Sequence, residues 1–556
     1  MPKPYDFIIV GAGTAGSLLA SQLSKHSRVL LMEAGPSNLL TPLNPMKSQT
    51  PWLHVPLGYL YTMTMKSTSY GFKTTVGDRQ IEYPRGRTLG GCSSINGMIY
   101  QKGNTGDYDG WGVKGWEGSD MMKCFDRIEK EFNWPVNKQR LRWEILDSFG
   151  EAVEEKKGLT KNERLVDSEE EGVGYFQVNQ SGGFRVSAFQ AFVDGRYMTM
   201  NDEREREYGK NLDVVTGAVV KGLLFQEGSR NKVMGVEYWK EVDGVIDDRE
   251  THEVRTNLDG GEVVLSAGAV SSPHLLMCSG IGCGTADEKV SLPVGLNLQD
   301  HLQLRQVFKL AEGTTSLNPI ANSMIGRMRI GIEYGLKQTG PLSMAPSQLG
   351  AFLKSSPELA FPDLQWHVQP LSLDKFGDEK LHSFPGMTAA VCNLRPTSRG
   401  SITLSGGSKD VRDKPIIDPR YLESLHDQKV AARGMRMTRD IVLGSSSFAK
   451  YKPQEYLPGI EYSTDEELAA QAKKVGTSIF HPCGTCKMGS EGDKDAVVDG
   501  SLRVFGMEGL RVCDASVMPS ITSGNTNSPT LAIAANLSRL LAAEKGGGGK
   551  EQKRYK

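Results

Sequence analysis

The sequence predicts an α/β protein with two parts: a Rossmann-like dinucleotide-binding domain that the chain leaves and re-enters, and a second, α+β domain built on an antiparallel sheet. Three stretches carry that expectation. Residues 5–35 read as strand, Gly-rich turn, helix and strand. Val263–Gly268 is a second apolar, buried-type strand ending in a small-residue turn. From Asn297 to about Ile479 the composition shifts towards Pro, Ser, Gln and Met, with separate strand-like runs at Leu364–Val368, Thr388–Cys392 and Ser401–Leu404.

The opening unit is the most specific. Phe7–Val10 is apolar and β-branched, Gly11-Ala12-Gly13-Thr14-Ala15-Gly16 has the spacing G-x-G-x-x-G, and Val29–Met32 ends in Glu33. In such a unit the first glycine permits the turn, the second lets backbone approach a pyrophosphate, and the third lets helix pack on strand. The helix N-terminus then offers free N–H groups to phosphate. Glu33 is placed to accept from a ribose hydroxyl and to repel a 2′-phosphate, which disfavours NADP. A lone Gly-rich turn is weak evidence; here strand, helix and acid all stand in place.

The chain has 556 residues, enough for more than one domain. Its 65 basic and 66 acidic residues leave a net charge of −1, so nothing points to a nucleic-acid partner. Apolar runs are too short to span a bilayer, and Met1–Pro4 leads directly into the first strand. A soluble, cytoplasmic protein is expected, with organelle targeting open should a leader precede these residues. Eight scattered cysteines do not form a disulfide framework. The Gly-rich stretch 544–556 reads as a disordered tail. Pro36–Pro56 shows no period and reads as a long irregular connection.

The stretch Tyr83–Met98 contains Gly86, Gly90, Gly91, Gly97 and a small cluster Cys92-Ser93-Ser94, with a helix expected to start near Ser94. This segment resembles the first signature of the glucose-methanol-choline (GMC) oxidoreductases, flavoenzymes that oxidise alcohols, and Asp107–Trp111 resembles its continuation. Some members place at Ile95 a histidine linked covalently to FAD; isoleucine cannot form that link, so non-covalent FAD is expected. Two amphipathic helices are expected near 120–131 and 144–157. Leu212–Thr216, Val219–Phe225 and Val233–Trp239 read as strands, with a hairpin turn at Asp243-Gly244. Val263–Gly282 is similar to the second GMC signature, with Ser272 expected to cap a helix that has Pro273 in its first turn.

Towards the C-terminus, Thr464 and Glu467 form a capping box. Then come His481-Pro482-Cys483-Gly484-Thr485-Cys486-Lys487-Met488-Gly489, Leu510–Ser516, and Asn525-Thr526-Asn527-Ser528-Pro529-Thr530 ahead of an apolar helix. These resemble three further GMC blocks in family order. The resemblance implies FAD-dependent oxidation of an alcohol to an aldehyde or ketone, with His481 and Asn525 at the reactive edge of the flavin. It implies cofactor contacts from Gly11, Gly13, Thr14, Ala15, Gly16, Glu33, Ala34, Arg87, Gly90, Gly91, Ser94, Asn96, Gly97, Met98, Val220, Ala267, Asp514, Ala515, Asn525 and Thr526. Histidine titrates near neutrality and suits proton removal from a hydroxyl. Cys483 and Cys486 are formally C-x-x-C but lack the helix start of a thioredoxin-like pair, and no Cys/His set has zinc spacing.

The expected division is 1–160, 207–299 and 495–543 for the FAD-binding domain and 161–206 and 300–494 for the substrate domain. Candidate pocket residues are Trp366, Gln369 and Phe480, with His367 and Phe376 beside them; Phe480 and Trp366 hint at an apolar or aromatic alcohol. His301 is expected to be a hydrogen-bonded structural residue. The electron acceptor is oxygen or a quinone, and the protein a monomer or homodimer. Two other chemistries occur on this family's fold. A light-driven fatty-acid decarboxylase needs Cys directly before Arg-Pro, where this chain has Leu394 before Arg395-Pro396. A hydroxynitrile lyase works without net redox.

Overall fold

A computed structural model describes residues 4–37, 51–162, 164–194, 211–242, 244–258, 260–282, 289–374 and 380–545. The expectations for Phe376 and for most of Pro36–Pro56 lie outside these residues.

Five parallel strands form the first sheet, in the order Leu510–Val512, Glu262–Leu265, Phe7–Val10, Val29–Met32, Leu212–Val215. Its strands come from three separate stretches of chain, the discontinuity the sequence predicts. The central strands are buried along their length and read as continuous apolar runs, as a sheet covered on both faces requires. The helix Thr14–Leu23 packs on the C-terminal helix Asn527–Lys545. Beside this sheet stands an antiparallel trio, Ala218–Phe225, Val233–Val242 and Val245–Arg255, with Val242 opposite Val245 across the expected hairpin turn.

The second sheet has seven strands. Its order is Gln454–Leu457, Leu302–Lys309, Gly386–Asn393, Leu364–Gln369, Leu349–Leu353, Gly172–Tyr175, with Gly476–Ser478 also on Leu302–Lys309. The pairings are antiparallel. The 20-residue helix Leu425–Gly444 packs on its strand Gly386–Asn393. Two large cores result, one around each sheet.

Packing redraws some expected boundaries. The helix Glu144–Lys157 buries Ile145, Leu146, Phe149 and Val153 in the second core, although it precedes residue 160. Cys483, Cys486 and Met488 belong to the first core, although they precede residue 495. The C-terminal helix runs on through Lys545, and Glu544 accepts from Arg511 at 2.9 Å, so the order extends past 543.

Two helix starts also differ. The helix expected to begin at Ser272 begins at Gly268, which places Pro273 inside it. Proline cannot donate to the carbonyl four residues back; the Thr485 hydroxyl does so instead, donating to Ala269 O at 2.7 Å. No α-helix begins at Ser94. A single 3₁₀ turn, Gly91–Ser94, stands there, because Ser93 and Ser94 spend their hydroxyls on Gly90 O and Leu89 O at 2.6 and 2.8 Å.

Candidate active site

One cavity of about 830 Å³ is lined both by the glycine turn of the parallel sheet and by the inner face of the antiparallel sheet. It contains Gly11, Gly13, Thr14, Ala15, Glu33, Ala34, Arg87, Gly91, Asn96, Gly97, Met98, Val220, Ala267, Asp514, Ala515, Asn525 and Thr526, as well as His481, Gln369 and Phe480. Four expected residues lie elsewhere. Gly16 is under the turn, where a Cβ would sit 2.0 Å from Gly11 O; its part is helix packing. Gly90 and Ser94 do not line the cavity; Gly90 N donates to Ala12 O at 2.7 Å and Ser94 Oγ to Leu89 O at 2.8 Å. Trp366 faces the opposite side of its strand from His367, as the two-residue period demands, and its indole N–H donates to Thr438 at 2.8 Å under the helix Leu425–Gly444.

The turn is built for a phosphate chain. Gly11 has φ +104°, and a Cβ on Gly91 would come within 2.8 Å of Gly13 Cα, so two glycine backbones touch. Glu33 accepts from Ala12 N at 3.1 Å and Gly35 N at 2.8 Å, and burial raises its pKa to about 7. Arg87 pairs with Glu241 and donates to Ala34 O at 3.2 Å. Asp514 accepts from Gly268 N and Ser272 Oγ at 2.8 and 2.6 Å and thereby fixes the loop after Leu265. At the N-terminus of the last helix, Thr526, Asn527 and Thr530 line the cavity, and the buried atoms Asn525 Oδ1 and Asn527 Nδ2 have no partner among the described residues. A positive helix end, a glycine cradle, a ribose-ready carboxylate and unpartnered amides fit the pyrophosphate, ribose and polar ring edge of FAD.

His481 and Asn525, 44 residues apart, meet in this cavity: Asn525 Nδ2 donates to His481 Nε2 at 3.0 Å. His481 Nδ1 lies 3.1 Å from His301 Nδ1, and His301 Nε2 lies 3.1 Å from Leu394 O. These contacts set the tautomers. A carbonyl only accepts, so His301 carries its proton on Nε2. Its Nδ1 therefore accepts, His481 carries its proton on Nδ1, and His481 Nε2 presents a lone pair towards Asn525 and the cavity. His301, expected to be structural, thus decides which nitrogen of His481 is basic.

Beneath both rings, Asp300 is saturated. Its Oδ1 accepts from His301 N and His481 N at 2.9 and 2.8 Å; its Oδ2 accepts from Tyr83 and Ser478 at 2.9 and 2.6 Å and from Tyr421. Phe480 adopts φ +68°, uncommon for a bulky residue, and its carbonyl accepts from Arg85 at 2.6 Å; this turn separates the strand Gly476–Ser478 from His481. Burial, then His301, His367 and Arg85, hold the His481 pKa well below the usual histidine value. Burial brings His301 to about 4 and His367 to about 3. All three rings are neutral at pH 7.

The site also contains Gln303, one turn of the pleat beyond His301, which sequence reading missed. Only its place two residues after His301 on a buried strand marks it. Cys483 and Cys486 are buried, which raises both thiols. Cys392 is buried and does not line the cavity. Among the described residues no group of three His, Cys, Asp or Glu could hold a metal, and no helix is long and apolar enough to cross a membrane.

Comparison with known proteins places the chain in a family. Two family models, both described as GMC oxidoreductase, match residues 5–303 and 396–534. An alcohol dehydrogenase (acceptor) from Pseudomonas putida is 35% identical over 97% of this chain and 95% of its own length. An oxygen-dependent choline dehydrogenase from Brucella anthropi is 32% identical, covering 95% and 94%. Pyridoxine 4-oxidase from Mesorbium loti superposes with a TM-score of 0.78 at 26% identity, covering 96% and 98%.

Proposed function

The chain belongs to the GMC oxidoreductase family, FAD-dependent enzymes that act on CH–OH donors, and from that premise we propose that it oxidises an alcohol with His481 as the base and Asn525 as its polar partner. Gly11, Gly13, Glu33, Gly91, Asp514 and the start of the last helix would hold FAD, which when bound would supply the acceptor for the hydride of the carbinol carbon. His481 Nε2 receives the hydroxyl proton. Asn525 Nδ2 donates to the same oxygen as it gains charge, and so orients it. Because its pKa is held low, His481 stays unprotonated through the neutral range and is available on every encounter. Asp300 fixes both histidine backbones, so the basic nitrogen does not wander. With Ile95 at the position where other members carry the linking histidine, FAD is bound without a covalent link.

The observation that carries this reading is the tautomer-fixed lone pair of His481, facing the cavity that the dinucleotide turn also lines. It is tested by anaerobic bleaching of the flavin with a panel of primary alcohols. His481→Ala slows bleaching by about 10²- to 10⁴-fold; a variant that bleaches at the parent rate refutes the assignment. Admitting oxygen and assaying peroxide then decides between oxygen and a quinone as acceptor.

A further inference from the structure

The alcohol itself is selected by the inner face of the seven-stranded sheet. Gln303 and His367 project on that face, on strands two apart. In the registers, Gln303 and Gln365 both face Cys392, and His367 faces Ala390. Neighbouring strands are about 4.8 Å apart and alternate residues about 6.8 Å apart along a strand, so the two polar residues, offset by one row, stand about 12 Å apart on the diagonal. Ala390 and Cys392 stand between them on the middle strand, and Arg305, opposite Ala390, shares the face. Gln369, next along from His367, lines the same cavity.

Two of these three groups lack a hydrogen-bond partner among the described residues. His367 is 3% exposed, its Nε2 is buried without a hydrogen bond, and its ring rests on Phe176 at 5.3 Å. Among the described residues, the Gln303 side chain, at 5% exposed, makes no hydrogen bond either. Gln369 has one contact, a donation to Ser347 Oγ at 3.3 Å. A buried unpaired polar group costs about 1–3 kcal/mol, and the three stand at one wall.

The charge of this wall is equally definite. The acids lining the cavity, among the described residues, are Glu33, Glu82, Glu241 and Asp514. Glu33 and Asp514 bond the nucleotide turn, Glu241 pairs with Arg87, and Glu82 stands 3.6 Å from Lys73. Asp300 is spent on five donors. Among the described residues no further carboxylate lines this wall, the His367 imidazole is neutral, and Arg305 on the same sheet face is a cation. A quaternary ammonium alcohol, the substrate class that the name choline dehydrogenase gives to relatives, would find no counter-charge there.

We infer that Gln303, His367 and Gln369 form a subsite for a second, uncharged hydrogen-bonding group of the substrate, so that this enzyme prefers a neutral bifunctional alcohol, such as a diol or hydroxyaldehyde, over plain alkanols and over choline. The inference rests on the alcohol-oxidase reading of His481 and deepens it.

The test compares α,ω-diols of four to six carbons with 1-alkanols of equal heavy-atom count, and choline with 3,3-dimethyl-1-butanol, by anaerobic flavin reduction in the holoenzyme. Calorimetry of the same pairs on the pre-reduced holoenzyme, which cannot turn over, reads binding alone. Diols are expected to exceed alkanols by about tenfold or more in kcat/KM and in affinity, and choline to fall below its neutral isostere. Gln303→Leu and His367→Phe, in protein of parent melting temperature and flavin content, bring the diol preference down to about unity, and His367→Gln restores part of it. Equal diol and alkanol binding, a preference for choline, or a preference untouched by Gln303→Leu overturns the subsite while leaving His481 as base. A panel with no flavin reduction at all, unaffected by His481→Ala, brings down the underlying reading instead.

Discussion

Replacing His301 with leucine tests the hydrogen-bond relay behind the base. The substitution removes the acceptor of His481 Nδ1–H. That N–H is buried and would be left unpaired, at a cost of about 1–3 kcal/mol. The other tautomer avoids the cost: with the proton on Nε2, His481 donates to Asn525 once that amide turns its oxygen inward, and Asn525 Oδ1 has no partner to lose. The preference between tautomers therefore reverses by roughly the value of one buried hydrogen bond, and the fraction of enzyme with a basic Nε2 falls. At 1.36 kcal/mol per factor of ten, the rate constant for flavin reduction drops about 5- to 150-fold. The assay is anaerobic stopped-flow reduction under substrate saturation, with the pH profile recorded for each variant. His301→Asn is the control: its amide oxygen accepts from His481 while its NH₂ donates to Leu394 O, and it retains most of the rate. A merely structural role predicts equal damage from Leu and Asn, with the loss tracking the melting temperature. Should His301→Leu reduce its flavin at the parent rate, the relay argument fails.

Other expectations can be measured in the same protein. The reaction needs an unprotonated base, and burial together with His301, His367 and Arg85 holds the His481 pKa below its ordinary value; kcat/KM therefore stays level as pH falls through 6.5, and a midpoint at 6.5 or above would contradict the assigned environment. Thr485→Val strips the hydroxyl that donates to the Ala269 carbonyl left open by Pro273, which costs about 1 kcal/mol and lowers the melting temperature by about 1 °C. Pro273→Ala in the same chain supplies the missing N–H and returns most of that loss, seen by scanning fluorimetry of the holoenzyme.

What the sequence discloses divides along a physical line. The glycine turn at Gly11–Gly16, the acid at Glu33 and the capping box of Thr464 and Glu467 are local: their conformations follow from residues within one turn of each other, so spacing alone reveals them. The strand expected at Leu364–Val368 is also legible, because Leu364, Trp366 and Val368 alternate with polar residues at the two-residue period. Which face each residue takes is not. Trp366 and His367 are neighbours in sequence and point to opposite sides, and only the register against Gly386–Asn393 and the helix above it assigns Trp366 to the core and His367 to the cavity.

The base and its relay show the same division at longer range. That His481 and Asn525 share a site followed from resemblance to a family, not from anything their separation dictates. The role of His301 was beyond reach in sequence, since it depends on a carbonyl 93 residues away and a ring 180 residues away. An Asp-His pair on a connection has many structural uses. What singles this one out is that the Asp300 carboxylate receives the backbone of both histidines at once, and so turns two distant stretches of chain into one rigid mount. A carboxylate with five donors has no capacity left for chemistry, so it holds the site in place, and in the proposed mechanism the acceptance of the proton falls to the neutral imidazole above it.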